Sequence, residues 1–223
     1  MVIFSKGFDY YMCKIIGISG RTIKVDGKEI VKVPKNIIKY IKKYKATPII
    51  IPDAINKKDL ELLLPIFSGF IIPGGVTFSK LDESIIDYAI NKDIPLLGIC
   101  AGMQAIANYN NFKTSNSDQT IKIESDINHF EEDKDYAHYI NINDGLLYSI
   151  INRRRIKVNS RHNYKVKNAD FFYIDAACDD GVIEAIHIPN KTCILGLEWH
   201  PEDLVDQNSK KIFAFFISKC INK

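Results

Sequence analysis

The stretch IPLLGICAGMQAIA, residues 94–107, decides the fold. A strand-sized apolar run leads directly into Cys100, which has Gly98 before it and Gly102 after it, and a helical pattern follows. Glycines leave space for a tight bend between strand and helix. A helix beginning at Ala101 would also direct amide N–H groups at the sulfur and favour the reactive thiolate. The stretch therefore predicts a reactive cysteine at the end of a strand.

Strand-sized apolar runs alternate with helical patterns through the first half of the chain. The predicted strands are 14–19, 47–52, 69–75 and 94–99, and the predicted helices are 34–45, 57–67 and 81–92. Nearly continuous Ile and Leu strands separated by helices indicate an α/β fold with a parallel sheet covered on both faces.

The second half of the chain has shorter segments, after a polar stretch over 113–138. Several show β-type alternation and predict strands that finish the sheet or extend it in antiparallel fashion. A last helix over 208–221 places Ile212, Phe215, Phe216 and Cys220 on one stripe. We find no internal repeat and no linker, so residues 1–223 are predicted to form a single domain.

Composition excludes several classes of protein. The 223 residues are 46% hydrophobic and 26% charged, as in an ordinary globular protein, and the net charge of +3 gives no reason to expect nucleic acid. Residues 1–14 do not read as a signal peptide, and no apolar run is long enough to span a bilayer. Five scattered cysteines without a CxxC pair indicate a reducing compartment, and we expect a cytoplasmic protein.

A nucleophilic cysteine needs a base and a group that orients the base. In GLEWHPED (196–203) an apolar strand ends at His200, and Pro201 fixes the backbone before Glu202. Glu202 is expected to accept a hydrogen bond from one ring nitrogen and leave the other for the sulfur. Each motif has a plainer interpretation: Cys100 as a small buried residue, and His-Pro as the mark of a strand end. Together they favour a Cys–His–Glu triad, and the other four cysteines are interpreted as structural.

GICAGMQ and GLEWHPE together resemble the class I glutamine amidotransferase superfamily, and FIIPGG (70–75), KVNSRHNYKV (157–166) and DGVIEAIHIPN (180–190) are similar to its γ-glutamyl-γ-aminobutyrate hydrolase group. The resemblance implies a flavodoxin-like fold, a mostly parallel central sheet flanked by helices. It also implies that Cys100 is the nucleophile, His200 the base and Glu202 the residue that orients the base. The backbone N–H groups of Gly75 and Ala101 would bind the oxyanion. Gln104 would contact the glutamyl group, and Ser160, Arg161 and His162 would lie in a loop that faces the substrate. For that loop a surface turn is an equal alternative.

The resemblance predicts a hydrolase that cleaves γ-glutamyl amides through a thioester. The loop after Gly75, VTFSKLDES, is shorter than is usual for the group, and Asn163 replaces a frequent second histidine, so the amine half of the substrate stays undetermined. Two alternatives remain: a glutaminase subunit that supplies ammonia to a synthase, and a binding or regulatory homologue without turnover. A Cys-dependent α/β hydrolase is disfavoured because its acidic residue would precede the histidine.

No cofactor, nucleic acid or membrane partner is predicted, and a homodimer or a synthase partner is left open. His129 and His138 flank the acidic stretch FEEDKDYA, but their spacing fits no compact zinc or calcium loop. We therefore expect a solvated loop there and no metal.

Overall fold

The computed structural model describes residues 13–110, 120–167 and 171–221. Most of the segment used to assess a signal peptide, and part of the polar stretch over 113–138, lie outside the described residues. Within them the strands are, in chain order, β1 (Ile15–Ser19), β2 (Arg21–Val25), β3 (Lys28–Lys32), β4 (Thr47–Ile51), β5 (Gly69–Ile72), β6 (Leu96–Ile99), β7 (Thr120–Lys122), β8 (His138–Ile142), β9 (Arg155–Val158), β10 (Tyr164–Val166), β11 (Tyr173–Cys178), β12 (Ile183–His187) and β13 (Ile194–Leu197).

The helices that cover the sheet begin at polar caps where the sequence supplies them. Ser79 and Asp82 form a reciprocal capping box, and the side chains of Asn56 and Asp206 each accept a backbone N–H at a helix start. In the described part of the chain the α-helices are α1 (Lys35–Lys43), α2 (Lys57–Leu63), α3 (Lys80–Lys92), α4 (Ala101–Ala107), α5 (Leu146–Ile151) and α6 (Gln207–Lys219). Short 3₁₀ helices cover Leu64–Ile66 and Pro201–Asp203.

One large sheet of nine strands has the order β4-β1-β5-β6-β13-β12-β11-β8-β9. The first five of these strands are parallel. Their side chains contribute to two apolar clusters, one on each face of the sheet. On one side Tyr40 of α1 stacks on Phe213 of α6, with ring centroids 4.2 Å apart. On the other side α3 and α4 bury Ile85 and Ile106. The predicted α/β fold is confirmed, with its mostly parallel sheet between helical layers.

The remaining strands of the large sheet extend it in antiparallel pairings, β13 with β12, β12 with β11, β11 with β8 and β8 with β9. The antiparallel extension suggested by the alternating segments is therefore confirmed. In α6 the buried stripe differs from the predicted one in one respect: Phe213 is fully buried, whereas Phe215 is only partly buried. Strands from both halves of the chain share one sheet, and the single domain over residues 1–223 stays a prediction.

A two-stranded hairpin, β2–β3, was missed by the sequence analysis. Its turn is Asp26-Gly27, with φ of 49° and 75°, the positive values that an Asp-Gly hairpin turn requires. The sequence analysis gave this segment no strand, because its polar and charged residues obscured the alternation. The hairpin stands at the carboxyl edge of β1, where it borders the site described below.

The register of β6 against β13 brings the two functional motifs together. Gly98 pairs with Gly196, and Ile99 pairs with Leu197, so the residues that follow both strands emerge at the same edge.

Among the described residues no helix has the length and apolar character needed to cross a membrane.

Candidate active site

Cys100 occupies a strained bend between β6 and α4. Its backbone has φ 50° and ψ −110°, outside the regions that a non-glycine residue ordinarily adopts, at a typical cost of about 1–3 kcal/mol. A methyl group on Gly98 would lie 2.6 Å from the Gly102 carbonyl, and one on Gly102 would lie 2.2 Å from the Ile72 carbonyl oxygen. The two glycines are therefore required for the close passage of strand and helix, as the sequence predicted.

His200 follows β13 and lies beside this bend. Its Nδ1 is 2.9 Å from Oε1 of Glu202, which leaves Nε2 for the sulfur of Cys100. Burial of the ring disfavours its charged form, but contact with Cys100 and Glu202 outweighs burial and raises the pKa of His200 to about 10. The structure thus brings the three residues of the predicted triad together and favours an imidazolium at neutral pH.

Gly74 forms the wall that faces the thiol and the imidazole. A methyl group on Gly74 would lie 2.6 Å from Cε1 of His200 and 3.4 Å from Cβ of Cys100. Sequence analysis singled out only its neighbour Gly75, although both belong to the PGG turn after β5. A methyl group on Gly75 would instead lie 3.2 Å from Nε of Arg21. The oxyanion roles of Gly75 and Ala101 stay predictions, with Gly75 next to Gly74 in the PGG turn and Ala101 directly after Cys100.

Arg21 ties the hairpin to the site. Its guanidinium pairs with the fully buried Asp82 and donates to the carbonyl of Pro73 at 3.1 Å. Asp82 also accepts from Ser19 at 2.6 Å. Because Asp82 lies in the first turn of α3, the Arg21–Asp82 pair joins the hairpin, the PGG turn and that helix.

A cleft of about 460 Å³ opens beside Gly74 and His200. Its walls carry cationic side chains of two separate segments, Arg21 and Lys32 from the hairpin and Arg161 from the loop after β9. The acidic residues at this cleft are Glu202 and Asp203, which pair with His200 and Arg161 respectively. The cleft is therefore suited to a small anionic ligand.

Gln104 lies one helical turn beyond Cys100. Its side-chain amide donates to Oε1 of Glu198 at 2.5 Å, so one donor is already engaged within the protein. Glu198 is fully buried, and burial raises the pKa of its carboxyl to about 7. Sequence analysis missed Glu198 although it stands within GLEWHPE, because a carboxylate directly after a strand gives no sign that it points inward. The glutamyl contact of Gln104 stays a prediction.

The three residues of the expected substrate-facing loop have different surroundings. Ser160 is 0% exposed and donates to the carbonyl of His129 at 2.7 Å, and His162 is 4% exposed. The alternative of a surface turn is therefore wrong for these two residues. Arg161 lines the cleft and donates to Asp203 at 2.5 Å. Substrate binding by the three residues stays a prediction.

Comparison with known families matches residues 79–202 to the Peptidase C26 model. The matched segment includes the bend at Cys100 and ends at Glu202. The chain belongs to the Peptidase C26 family. It is thus a member of the class I glutamine amidotransferase-like group, as the sequence motifs implied.

Relatives in this group differ in what they do. A Schizosaccharomyces pombe protein named as a candidate glutamine amidotransferase is 32% identical over 139 residues, 60% of this chain and 54% of the relative. The γ-glutamyl-γ-aminobutyrate hydrolase PuuD of Escherichia coli is 27% identical, over 78% of this chain and 80% of its own length. A CTP synthase of Methanosphaera stadtmanae is 28% identical, over 76% of this chain but only 37% of the synthase. The chain thus spans about half of the first relative and little more than a third of the synthase.

Solved structures agree on the fold. The glutaminase domain of Trypanosoma brucei CTP synthase, solved with bound acivicin, has a TM-score of 0.74 at 16% identity, over 93% of this chain and 94% of that domain. A Thermoplasma acidophilum protein described as a candidate GMP synthase subunit has a TM-score of 0.69 at 18% identity, over the same shares of the two chains. These likenesses establish the flavodoxin-like glutaminase fold.

Proposed function

We propose that this protein is a hydrolase of γ-glutamyl amides that acts through a thioester on Cys100, with His200 as acid and base and Glu202 as its orienting partner. One observation carries the proposal: the strained Cys100 and the imidazole of His200 face the same glycine, Gly74, and Glu202 holds that imidazole at 2.9 Å. A sulfur, an imidazole and a carboxylate in this order are what acyl transfer from an amide requires.

The proposed reaction begins with attack of the Cys100 thiolate on the side-chain carbonyl of the substrate. Negative charge on the carbonyl oxygen would be stabilised by backbone N–H groups of the PGG turn and of Ala101, each worth about 10²–10³ in rate. The imidazolium of His200 then gives its proton to the departing nitrogen. Water loses a proton to His200, attacks the thioester and releases glutamate, and the proton returns to the Cys100–His200 pair.

The cationic cleft supports a substrate with a carboxylate. A γ-glutamyl group carries an α-carboxylate a short distance along the chain from the scissile carbonyl, and an arginine can bind it in a bidentate manner. Arg161 and Arg21 both line the cleft, and the Nε of each is buried without a hydrogen bond to another described residue. We assign the carboxylate to this cleft.

A glutaminase subunit is the second candidate, because the CTP synthase relative and the CTP synthase glutaminase domain share this sequence pattern or fold. The two proposals differ in the group that leaves. A hydrolase accepts a large amine and needs no partner, whereas a glutaminase subunit releases ammonia and is commonly held back until its synthase is loaded. The third alternative is a homologue that has kept the pocket but does not catalyse the reaction.

The test is glutamate release by the purified protein from glutamine and from a panel of γ-glutamyl amines, with Cys100→Ala as the control. We expect a higher kcat/KM for γ-glutamyl amines than for glutamine, without any added protein, and loss of all turnover in the variant. If glutamine is the better substrate, or turnover requires a second protein, the glutaminase proposal replaces this one. Absence of turnover on every substrate, with a synthase partner tried, would favour the silent homologue.

The site also bears on location. All five cysteines are free, and four of them are buried. Free cysteines are typical of proteins in reducing compartments, so we propose a cytoplasmic location.

A further inference from the structure

Three histidines and one glutamate converge inside the antiparallel half of the molecule. His129 comes from the loop before β8, His138 begins β8, His162 follows β9, and Glu184 lies on β12. Their exposed fractions are 3%, 7%, 4% and 0%. None of the four lines the cleft beside Gly74 and His200. The cluster is thus a second buried polar centre, distinct from the proposed triad.

The ligand-type atoms of the cluster point at one another. Oε1 of Glu184 lies 3.3 Å from Nδ1 of His129, 3.4 Å from Nε2 of His138 and 3.5 Å from Nε2 of His162. All four atoms lie within 4.8 Å of one another. Two ligands bound tetrahedrally to one zinc ion at about 2.0–2.2 Å are about 3.3–3.5 Å apart. The separations from Glu184 therefore match the edges of a zinc tetrahedron.

Hydrogen bonds do not account for this convergence. Within the described residues the three inward-facing nitrogens of His129, His138 and His162 make no hydrogen bond, and neither oxygen of Glu184 makes one. A fully buried carboxylate without hydrogen bonds is costly unless a cation compensates it. Three donor nitrogens and a carboxylate oxygen around one point are what a divalent cation would satisfy.

The outer nitrogens of the histidines are already fixed. Nε2 of His129 is 2.9 Å from Oδ2 of Asp180, and Nδ1 of His162 is 3.0 Å from the carbonyl oxygen of Tyr164. Nδ1 of His138 is 3.4 Å from the carbonyl oxygen of Tyr139. When the outer nitrogen donates to an oxygen, the inner nitrogen is left with its lone pair free for a metal, which is the usual arrangement of metal-binding histidines.

We propose that His129, His138, His162 and Glu184 form a structural Zn²⁺ site. Imidazole nitrogens with one carboxylate suit zinc, and four protein ligands in a closed interior are characteristic of a structural rather than a catalytic ion.

The site would fix the loop that supports the proposed base. His162 shares the segment 159–162 with Asn159, which bonds to the backbone of His200, and with Arg161 of the cleft. A zinc ion would fasten this segment to Glu184 on β12 and to the loop at His129. The four ligands come from four separate segments, so no compact spacing in the sequence reveals them, and the sequence analysis assigned no metal for that reason.

The experiment measures metal directly, not turnover. Protein produced in zinc-supplemented medium is analysed for metal per chain, then stripped with a chelator and titrated with Zn²⁺ and with Co²⁺. The variants are His162→Gln and Glu184→Gln. The matched control is His187→Gln, which removes a histidine from the same strand as Glu184 where it pairs with Asp175 at 2.7 Å. Cys100→Ala excludes zinc held by the proposed active site.

We expect about one zinc per chain in the wild type, in His187→Gln and in Cys100→Ala, and a loss of bound zinc in His162→Gln and Glu184→Gln. Asp180→Asn keeps all four ligands and should weaken zinc affinity by about 10–100-fold. Cobalt in the wild type should give the intense visible absorption of a tetrahedral site, and chelation should lower Tm. These two wild-type measurements decide the question if the ligand variants fail to fold.

Three results would overturn the proposal. They are a wild-type protein that neither carries zinc nor binds it after stripping, an unchanged zinc content in both ligand variants, and loss of the zinc in Cys100→Ala.

Discussion

Asn159 holds His200 by both of its backbone groups. The side-chain amide of Asn159 donates to the carbonyl oxygen of His200 at 2.9 Å, and its oxygen accepts the N–H of His200 at 2.8 Å. The two bonds fix the turn between Trp199 and Pro201 from which the imidazole projects. Glu202 therefore sets the orientation of the ring, whereas Asn159 sets the position of the backbone that carries it.

We predict that Asn159→Ala lowers kcat for glutamate release by up to about a hundredfold, because a displacement of about 1 Å in a reacting group can cost that much. KM should change less, since Asn159 does not line the cleft. Steady-state kinetics with one γ-glutamyl amine would measure both. Asn143→Ala is the control, because the Asn143 side chain also donates to a backbone carbonyl, that of Ile174, but far from the site. Equal losses in the two variants would contradict a positioning role for Asn159.

Cys100 should be the first thiol to react with limiting iodoacetamide. Burial raises the pKa of Cys178, Cys193 and Cys220 to about 12, so these thiols stay protonated and inert at neutral pH. Cys13 is the partly exposed competitor. Peptide mapping after brief labelling would identify the modified residue.

The same labelling should slow in His200→Gln, because the variant lacks the imidazole proposed as the base for Cys100. Preferential modification of Cys13 in the wild type, or unchanged labelling of Cys100 in His200→Gln, would contradict the proposed pairing of Cys100 with His200.

Glu202→Gln should slow turnover by about 10²–10⁴-fold and still leave more activity than Cys100→Ala, because the nucleophile remains. The variant should also change the pH profile. His200 must be protonated to expel the amine, and its charged form is present below its raised pKa of about 10. Without the carboxylate that pKa falls, so the alkaline fall in kcat/KM should begin at lower pH. Profiles of both proteins from about pH 6 to about pH 10.5, a range that brackets this pKa, would test this, and superimposable alkaline limbs would exclude the role given to Glu202.

Gly74→Ala should damage catalysis far more than Gly75→Ala. A methyl group at Gly74 would lie only 2.6 Å from Cε1 of His200, so the imidazole must move. At Gly75 the nearest atom, 3.2 Å away, belongs to the flexible end of Arg21, and the backbone N–H is retained. We expect a loss of about a hundredfold in kcat for Gly74→Ala and a clearly smaller one for Gly75→Ala, with both proteins folded by circular dichroism. A larger loss at Gly75 would indicate that the second glycine faces the reacting atoms.

The sequence by itself determined the parallel core of the fold and the residues of the proposed triad. Short apolar strands, each followed by an amphipathic helix, leave few arrangements other than a sheet covered on both faces. Gly98, Cys100 and Gly102 are close together in the chain, so their bend could be recognised locally, and the same is true of His200 and Glu202. Contacts between residues that are close together in the chain depend mainly on the types of those residues, so they can be predicted from a short stretch of sequence.

Only the tertiary structure decided which polar residues of the second half point inward. Ser160, His162, Glu184 and Glu198 are buried, although nothing in their local sequence distinguishes them from residues of solvated strands and turns. Their burial depends on the register of β8, β9, β12 and β13 and on two loops that fold back over them. The register is fixed by packing summed over whole strands, and a shift by one residue would move every side chain of a strand to the opposite face of the sheet. No short motif could therefore reveal that four side chains meet at one point, those of His129, His138, His162 and Glu184.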